Sequence, residues 1–361
     1  MKKWAAILGM VTIITGSAAA APAGVPAPDS SLPKAEARHP QLQFRHILQP
    51  AAWLKAGLPV HTALGLTREG RAVEAYYFPG TSDQTALVIG GVHGSELSAL
   101  EVVAEVRRVL SEGGRPYYNV IVLPCLFPDN AAHAAGCPEA IGSTRNLGRY
   151  TDSTAADPNR QMPPLGQAFN PAHPVDARGR CIEGENQLLL RLIEAYRPQR
   201  IVNVHAIRDR RGAGFFADPR TDCNGTALGF TPDSALAVRM ARSVQEKGGY
   251  VPGNRLSTGP TALYPADPFP VPAGQLQPRN AEGSRLPGGR GCGISLGSWA
   301  TTAVCRGGER PAAQLITVEF PGNKRPMDYA LPQEQAENRR QVQWYAEAIL
   351  NVFLGTPGPN E

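Results

Sequence analysis

Four residues at the ends of apolar runs could do chemistry together: His93, Glu96, His205 and Glu319. His93 and Glu96 stand three positions apart in Leu87-Val88-Ile89-Gly90-Gly91-Val92-His93-Gly94-Ser95-Glu96, where an apolar run ends at two glycines. In a helix-like turn a residue pair at that spacing presents an imidazole nitrogen and a carboxylate to one cation, and zinc accepts both ligand types. A second β-branched run, Arg200-Ile201-Val202-Asn203-Val204-His205, also ends in a histidine. Two histidines and one glutamate leave the fourth zinc position open, which is the pattern of a catalytic site rather than a closed structural one. Glu319 lies inside Gln314-Leu315-Ile316-Thr317-Val318-Glu319-Phe320-Pro321. A carboxylate in so apolar a strand is costly to bury unless it is paired or functional. Zinc lowers the pKa of a water to about 7, and a base within hydrogen-bond reach completes the set.

The elements that must position these residues are strands. In open α/β sheets ligands bind beyond the carboxyl ends of the strands, so side chains from two or three strand ends can converge there. His-x-x-Glu alone is common by chance, and a strand-end glutamate can simply pair with an arginine. Both histidines at strand ends favour the functional reading.

Taken in chain order, the motifs resemble the zinc metallocarboxypeptidases of the carboxypeptidase A type. The family's turn is matched by Phe127-Pro128-Asp129-Asn130, its single arginine by Arg145 in Ser143-Thr144-Arg145-Asn146, and its Asn-Arg pair by Asn159-Arg160 in Asp157-Pro158-Asn159-Arg160. The resemblance runs from about Gly65, where Leu66 to Arg71 looks like the family's early hairpin, to the last helix. It implies one zinc ion held by His93, Glu96 and His205, with Glu319 deprotonating water and passing the proton to the leaving amine. It further implies that Arg145 stabilises the oxyanion, a task in which one lost donor costs about 10²–10³ in rate. Asn159 and Arg160 would grip a substrate carboxylate, which the planar guanidinium fork matches. The chain departs from the family in having no Tyr between Tyr264 and Glu319. Gly297-Ser298-Trp299-Ala300 and Gly94-Ser95 instead look like the bacterial murein peptide amidase subgroup, which cleaves cell-wall peptides.

The first 21 residues read as a secretory signal peptide: Lys2 and Lys3, an apolar run from Trp4 to Ile14, then Ser17-Ala18-Ala19-Ala20-Ala21. The run is shorter than the roughly twenty apolar residues of a membrane anchor, so an exported protein, periplasmic or secreted and without a stable membrane anchor, is expected. Cleavage removes two of the charges behind the formal +5, leaving +3. No Lys/Arg stripe with interleaved aromatics appears, which excludes nucleic acid as an expected partner. Six cysteines in an exported chain favour disulfides. Cys292 with Cys305 is the pair drawn first, closing a Gly-rich excursion worth about 3 kcal/mol in the chain-entropy model, and Cys125 reads as a buried free thiol.

Residues 22–41 are a Pro/Ala-rich leader, and 42–357 are expected to form a single catalytic domain, a monomer. Strands are predicted at Val73–Phe78, Thr85–Ile89, Tyr118–Leu123, Arg200–His205 and Gln314–Pro321, and helices at Leu97–Leu110, Glu185–Tyr196, Ser234–Lys247 and Gln333–Phe353. The loop from Asn130 to Gly184 carries Arg145, Asn159 and Arg160 and reads as a substrate-binding wall. A second irregular region, Val251 to Gly291, reads as a lid, a rim or an inert insertion. The alternation predicts an α/β fold with a mixed, mostly parallel sheet and helices on both faces, which the resemblance narrows to eight strands. Three functions are carried forward. The first is an exported zinc metallopeptidase cutting an amide near a free carboxylate in short peptides, foremost peptidoglycan stem peptides (cell-wall muropeptides), as a carboxypeptidase or a γ-D-glutamyl-diamino acid amidase. The others are a zinc deacylase of N-acyl amino acids, resembling aspartoacylase and succinylglutamate desuccinylase, and an inactive peptide-binding module.

Overall fold

The computed structural model describes residues 57–145, 147–152, 156–256 and 290–357. The signal peptide, the leader, most of the second irregular region and Tyr264 lie outside the described residues. All described residues belong to one compact unit, His39–Glu361.

Seven strands form one sheet: β1 Val60–Leu66, β2 Ala72–Phe78, β3 Thr85–Gly90, β4 Asn119–Leu123, β5 Arg200–Ile207, β6 Gly214–Ala217 and β7 Gln314–Pro321, in the spatial order β1-β2-β4-β3-β5-β7-β6. β3 pairs in parallel with β4 and β5, and β5 with β7, whereas β1–β2, β2–β4 and β6–β7 are antiparallel. The expectation of eight strands, mostly parallel, is therefore corrected among the described residues. The parallel centre is flanked by antiparallel edges: β1 and β2 form a hairpin whose short turn cannot house a crossover helix, and β6 lies antiparallel on β7 at the far edge.

The central strands explain themselves. Leu87, Val88 and Ile89 in β3 and Val120, Ile121 and Val122 in β4 are buried on both faces, as continuous β-branched runs must be in the middle of a covered sheet. One face is covered by α1 Leu97–Glu112, α4 Thr231–Gln245 and α6 Pro332–Ala348, which continues into one π-helical turn, Ile349–Phe353. Val102, Val103 and Val106 of α1, Leu236 and Met240 of α4, and Val342 and Tyr345 of α6 pack there against Val88, Val202 and Val318. On the other face α3 Gly184–Tyr196 and α5 Leu296–Ala300 pack Leu188, Leu189, Leu192, Ile193 and Trp299 against Leu87, Ile89, Ile201 and Leu315. Parity then fixes the site. Ile201 and Leu315 face the α3 side, so His205 and Glu319, four residues on in each strand, face that side too.

β3 leads outward to β4 on one side, while the chain from β4 crosses over to β5 on the other. The strand order reverses between β3 and β5, the switch point beyond whose carboxyl ends open α/β sheets place their ligands.

Candidate metal centre

His93 and Glu96 lie in the turn that leaves β3. Gly90 ends the strand and Gly91 takes φ +67°, a left-handed conformation where a side chain is strained. The Glu96 N–H donates to the His93 carbonyl at 3.1 Å, and Glu96 is the residue immediately before α1. The expected helix-like turn is thus present. His205 lies in β5 in direct register with Glu319 of β7, and Glu319 also faces Gly214 of β6.

His93, Glu96 and His205 are all buried, and one ligand atom from each lies within 4.8 Å of the other two. His93 Nδ1 is 2.9 Å from Glu96 Oε1, and His205 Nδ1 is 2.9 Å from Glu96 Oε2. The Ala206 N–H donates to the same Oε2 at 3.1 Å. On its outer side His93 Nε2 is 2.8 Å from Asp157 Oδ1, an arrangement in which a carboxylate fixes the ring's tautomer and leaves Nδ1 to face inward. Asp157 is itself pinned by its neighbour, since the Asn159 N–H donates to Oδ1 at 2.8 Å. His205 Nε2 is buried and has no hydrogen-bond partner among the described residues. Two inward Nδ1 atoms and a carboxylate converging at this distance are a donor set that could hold a divalent metal ion.

The charges respond to this crowding. Burial pulls the His93 imidazolium down, but the Glu96 charge and the hydrogen bonds to Asp157 and Glu96 outweigh it and raise the ring to about 9. Burial pushes Glu96 up, yet the neighbouring His93 and His205 hold its carboxyl well below the ordinary value. Asp157 is likewise lowered, burial being overcome by His93 and then Arg149. Glu319 moves the other way: burial raises it to about 6, with His205 opposing and Glu96 reinforcing the rise. A carboxylate poised near neutrality beside a metal-ligand set is suited to taking and returning a proton.

The expected arginine was Arg145. That residue is exposed, and its backbone N–H turns back to Ser143 Oγ at 3.2 Å. The guanidinium that reaches the triad belongs to Arg149, whose Nη1 donates to Glu96 Oε1 at 2.9 Å and whose Nη2 lies 3.6 Å from Asp157 Oδ2. Gly148, with φ +73°, lets the loop pass so close to the helix α2 Pro128–Ala135 that a Cβ there would meet the Asn130 carbonyl oxygen at 2.2 Å. No local sequence signal distinguishes Arg149 from Arg145, because that long-range contact sets the loop's register. Asp157 was within reach of sequence reasoning: an Asp two residues before Asn, with Pro between, is an Asx turn, and such a carboxylate is a natural partner for a histidine.

Asn159 and Arg160 occupy a short 3₁₀ turn, Pro158–Arg160, immediately after Asp157. The Leu296 N–H donates to Asn159 Oδ1 at 3.0 Å, tying the pair to the start of α5, and Arg160 Nη1 donates to the Asn159 carbonyl at 2.7 Å. Phe127-Pro128-Asp129-Asn130, expected as a turn, begins α2, and Asp129 accepts from Thr67 Oγ1 at 2.7 Å and from Arg71 Nη1 at 2.9 Å. It serves the hairpin, not the triad.

Cys305 pairs with Cys223, with Cα atoms 5.9 Å apart, so the expected Cys292–Cys305 bridge is corrected. Cys292 is buried near the Arg160 turn, where Arg180 Nη2 donates to the carbonyls of both residues. Cys125 is a free thiol just beyond β4, and burial pushes it up to about 12. Among the described residues no helix is long and apolar enough to cross a membrane.

No family model and no curated protein matches this chain. Among solved structures, the murein-tripeptide amidase MpaA of Escherichia coli O157 overlaps 86% of this chain and 98% of its own, with 19% identity and a TM-score of 0.42. Carboxypeptidase A of Helicoverpa armigera overlaps 83% of this chain and 71% of its own, at 13% identity and a TM-score of 0.45. A metallo-carboxypeptidase of Pseudomonas aeruginosa overlaps 83% and 67%, at 16% identity and a TM-score of 0.43.

Proposed function

We propose that this chain is an exported, zinc-dependent metallopeptidase that hydrolyses an amide bond near a free carboxylate in short peptides, foremost peptidoglycan stem peptides. The observation that carries this reading is the convergence of one ligand atom each from His93, Glu96 and His205 within 4.8 Å, with Glu319 in register beside His205. A zinc ion held by those three residues supplies Lewis acidity, polarising an amide carbonyl and bringing water's pKa down to about 7.

The chain's own residues do the rest. Glu319, raised to about 6, accepts a proton from the attacking water and delivers it to the departing amine. The positive charge that meets the oxyanion we assign to Arg149 in place of Arg145, because its guanidinium lies 2.9 Å from Glu96 Oε1 while Arg145 is exposed. Asn159, through its side-chain amide, and Arg160 take the substrate's carboxylate. Asp157 holds His93 in the tautomer that turns Nδ1 inward. The signal-like first 21 residues and the Cys223–Cys305 bridge support an oxidising compartment outside the cytoplasm, where cell-wall peptides are found.

The test is mass spectrometry of a muropeptide pool incubated with the mature protein, with a parallel sample stripped of metal by a chelator and restored with zinc. The expected result is a zinc-dependent mass loss whose fragment separates a carboxypeptidase from a γ-D-glutamyl-diamino acid amidase. Intact muropeptides together with cleavage of N-acyl amino acids would replace this reading with that of a deacylase, and no turnover of either by zinc-loaded protein would leave a binding module.

A further inference from the structure

We propose that Arg149 is a built-in positive counterweight of the metal centre: it shares Glu96 with the bound cation and opposes that cation's binding. This rests on the metal-site reading above and concerns how tightly the site holds its ion.

The geometry is specific. Glu96 has two oxygens and four close nitrogen atoms. His205 Nδ1 and the Ala206 N–H address Oε2, while His93 Nδ1 and Arg149 Nη1 address Oε1. Arg149 therefore binds the same oxygen as one of the metal-ligating histidines. It bridges to Asp157, the carboxylate that orients that histidine, at 3.6 Å. The two carboxylates are buried, with side chains only 5% and 10% exposed, so their charges are poorly screened and need a cation close by. Arginine keeps its charge at every relevant pH.

Two cations competing for one carboxylate are linked thermodynamically: each weakens the other's hold by the same factor. A divalent ion at the triad and a guanidinium hydrogen-bonded to one of its ligands repel in a partly buried setting, where such interactions exceed their strength in water. Arg149 is 27% exposed at its side chain, so solvent screens part of that repulsion and the ion is held more weakly rather than expelled. Its ring neighbour Tyr150, 5.8 Å from the guanidinium carbon, marks one surface along which it lies.

Removing a group that merely supports Glu96 would loosen the ligand set and weaken metal binding; removing a competing cation would tighten it. The experiment is an equilibrium competition for zinc between the protein and a chromogenic chelator, run on the full mature chain, on Arg149→Gln, on Arg149→Lys and on Arg145→Gln. Arg149→Gln is expected to bind zinc at least about tenfold more tightly than the parent, and its zinc-free form to melt at a lower temperature. Arg149→Lys, which keeps the charge, should stay close to the parent, and Arg145→Gln, which removes the same charge four residues away, should change nothing. Equal or weaker zinc binding by Arg149→Gln overturns the proposal while leaving the metal site standing. A parent chain that takes up no zinc overturns both.

Discussion

β5 and β7 run side by side through eight register pairs, and the two ends of that ladder treat buried charge in opposite ways. At the amino end Arg200 stands opposite Gln314. Arg200 is 4% exposed, donates from Nη1 to the Phe353 carbonyl at 2.7 Å and lies over the Tyr118 ring at 5.0 Å. Gln314 donates to Asp233 Oδ1 at 2.7 Å, and Arg220 donates to Asp233 Oδ2 at 2.8 Å, so both oxygens of a fully buried carboxylate are used. At the carboxyl end His205 stands opposite Glu319. There His205 Nε2 has no partner among the described residues, and Glu319 is raised to about 6. A buried polar group whose partners are complete contributes rigidity and a single geometry; one held short of completion keeps a free-energy difference that chemistry can use. The same two strands do both, about 17 Å apart at 3.3 Å per residue.

Breaking each end should therefore produce opposite phenotypes. Glu319→Gln removes the base and is expected to cut hydrolysis by about 10²–10⁴-fold while zinc content and melting temperature hold or rise, since a costly buried carboxylate has gone. Asp233→Ala leaves Arg220 and Gln314 without their acceptor and is expected to lower unfolding free energy by about 3 kcal/mol, with kcat/KM per folded molecule unchanged. Turnover and denaturant melts on both variants decide it. If Asp233→Ala loses turnover as completely as Glu319→Gln at a temperature where it is folded, the two ends are not separable.

A pH profile sharpens the contrast at the carboxyl end alone. Burial raises Glu319 to about 6, against the pull of His205. As a base it works only when deprotonated, so kcat/KM should climb through an acid limb that lies at or below pH 6, since a bound cation beside the carboxyl pulls it down, and level off above it. No such limb is expected to survive in any residual activity of Glu319→Gln. A profile flat from pH 4 to 8 in the parent would exclude Glu319 as the base that limits turnover.

What the sequence made legible follows the same division. β3, β5 and β7 were readable because they are buried on both faces and so spell out continuous apolar runs, and their polar interruptions, His205 and Glu319, stood out against that background. α1 and α3 were readable from apolar residues at three- and four-residue spacing. The edges were not. β1 alternates exposed and half-buried residues before reaching the buried Leu64 and Gly65, and β6 is four residues long, so neither carries enough pattern to separate it from loop. α2 hid behind a Pro-Asp-Asn sequence that reads as a turn and in fact opens a helix with Pro in its first turn. Arg149 was missed for a different reason: a loop between Asn130 and Gly184 has no periodicity, and which of its arginines reaches the triad depends on the close passage of Gly148 over α2. The disulfide partner of Cys305 was equally illegible, since Cys223 lies 82 residues away and only the fold brings it near.

Glu185, in the first turn of α3, tests whether a strained buried carboxylate must belong to the site. Burial raises it to about 7, its own backbone N–H opposes the rise, and Glu183 and Asp129 add to it. A carboxyl raised in the folded chain above its unfolded value of about 4.5 keeps its full contribution to stability below that pH and loses it as pH climbs through the folded value. Glutamine cannot ionise. Glu185→Gln should thus melt close to the parent near pH 4.5 and gain on it steadily to pH 8, by on the order of 1 kcal/mol, with zinc affinity and kcat/KM unaltered. If the variant instead loses turnover with its stability intact, Glu185 is tied to the reaction through α3, and raised carboxylates in this molecule mark function wherever they occur. If it gains stability alone, partner geometry, not burial, is what separates a reactive carboxylate from a merely uncomfortable one.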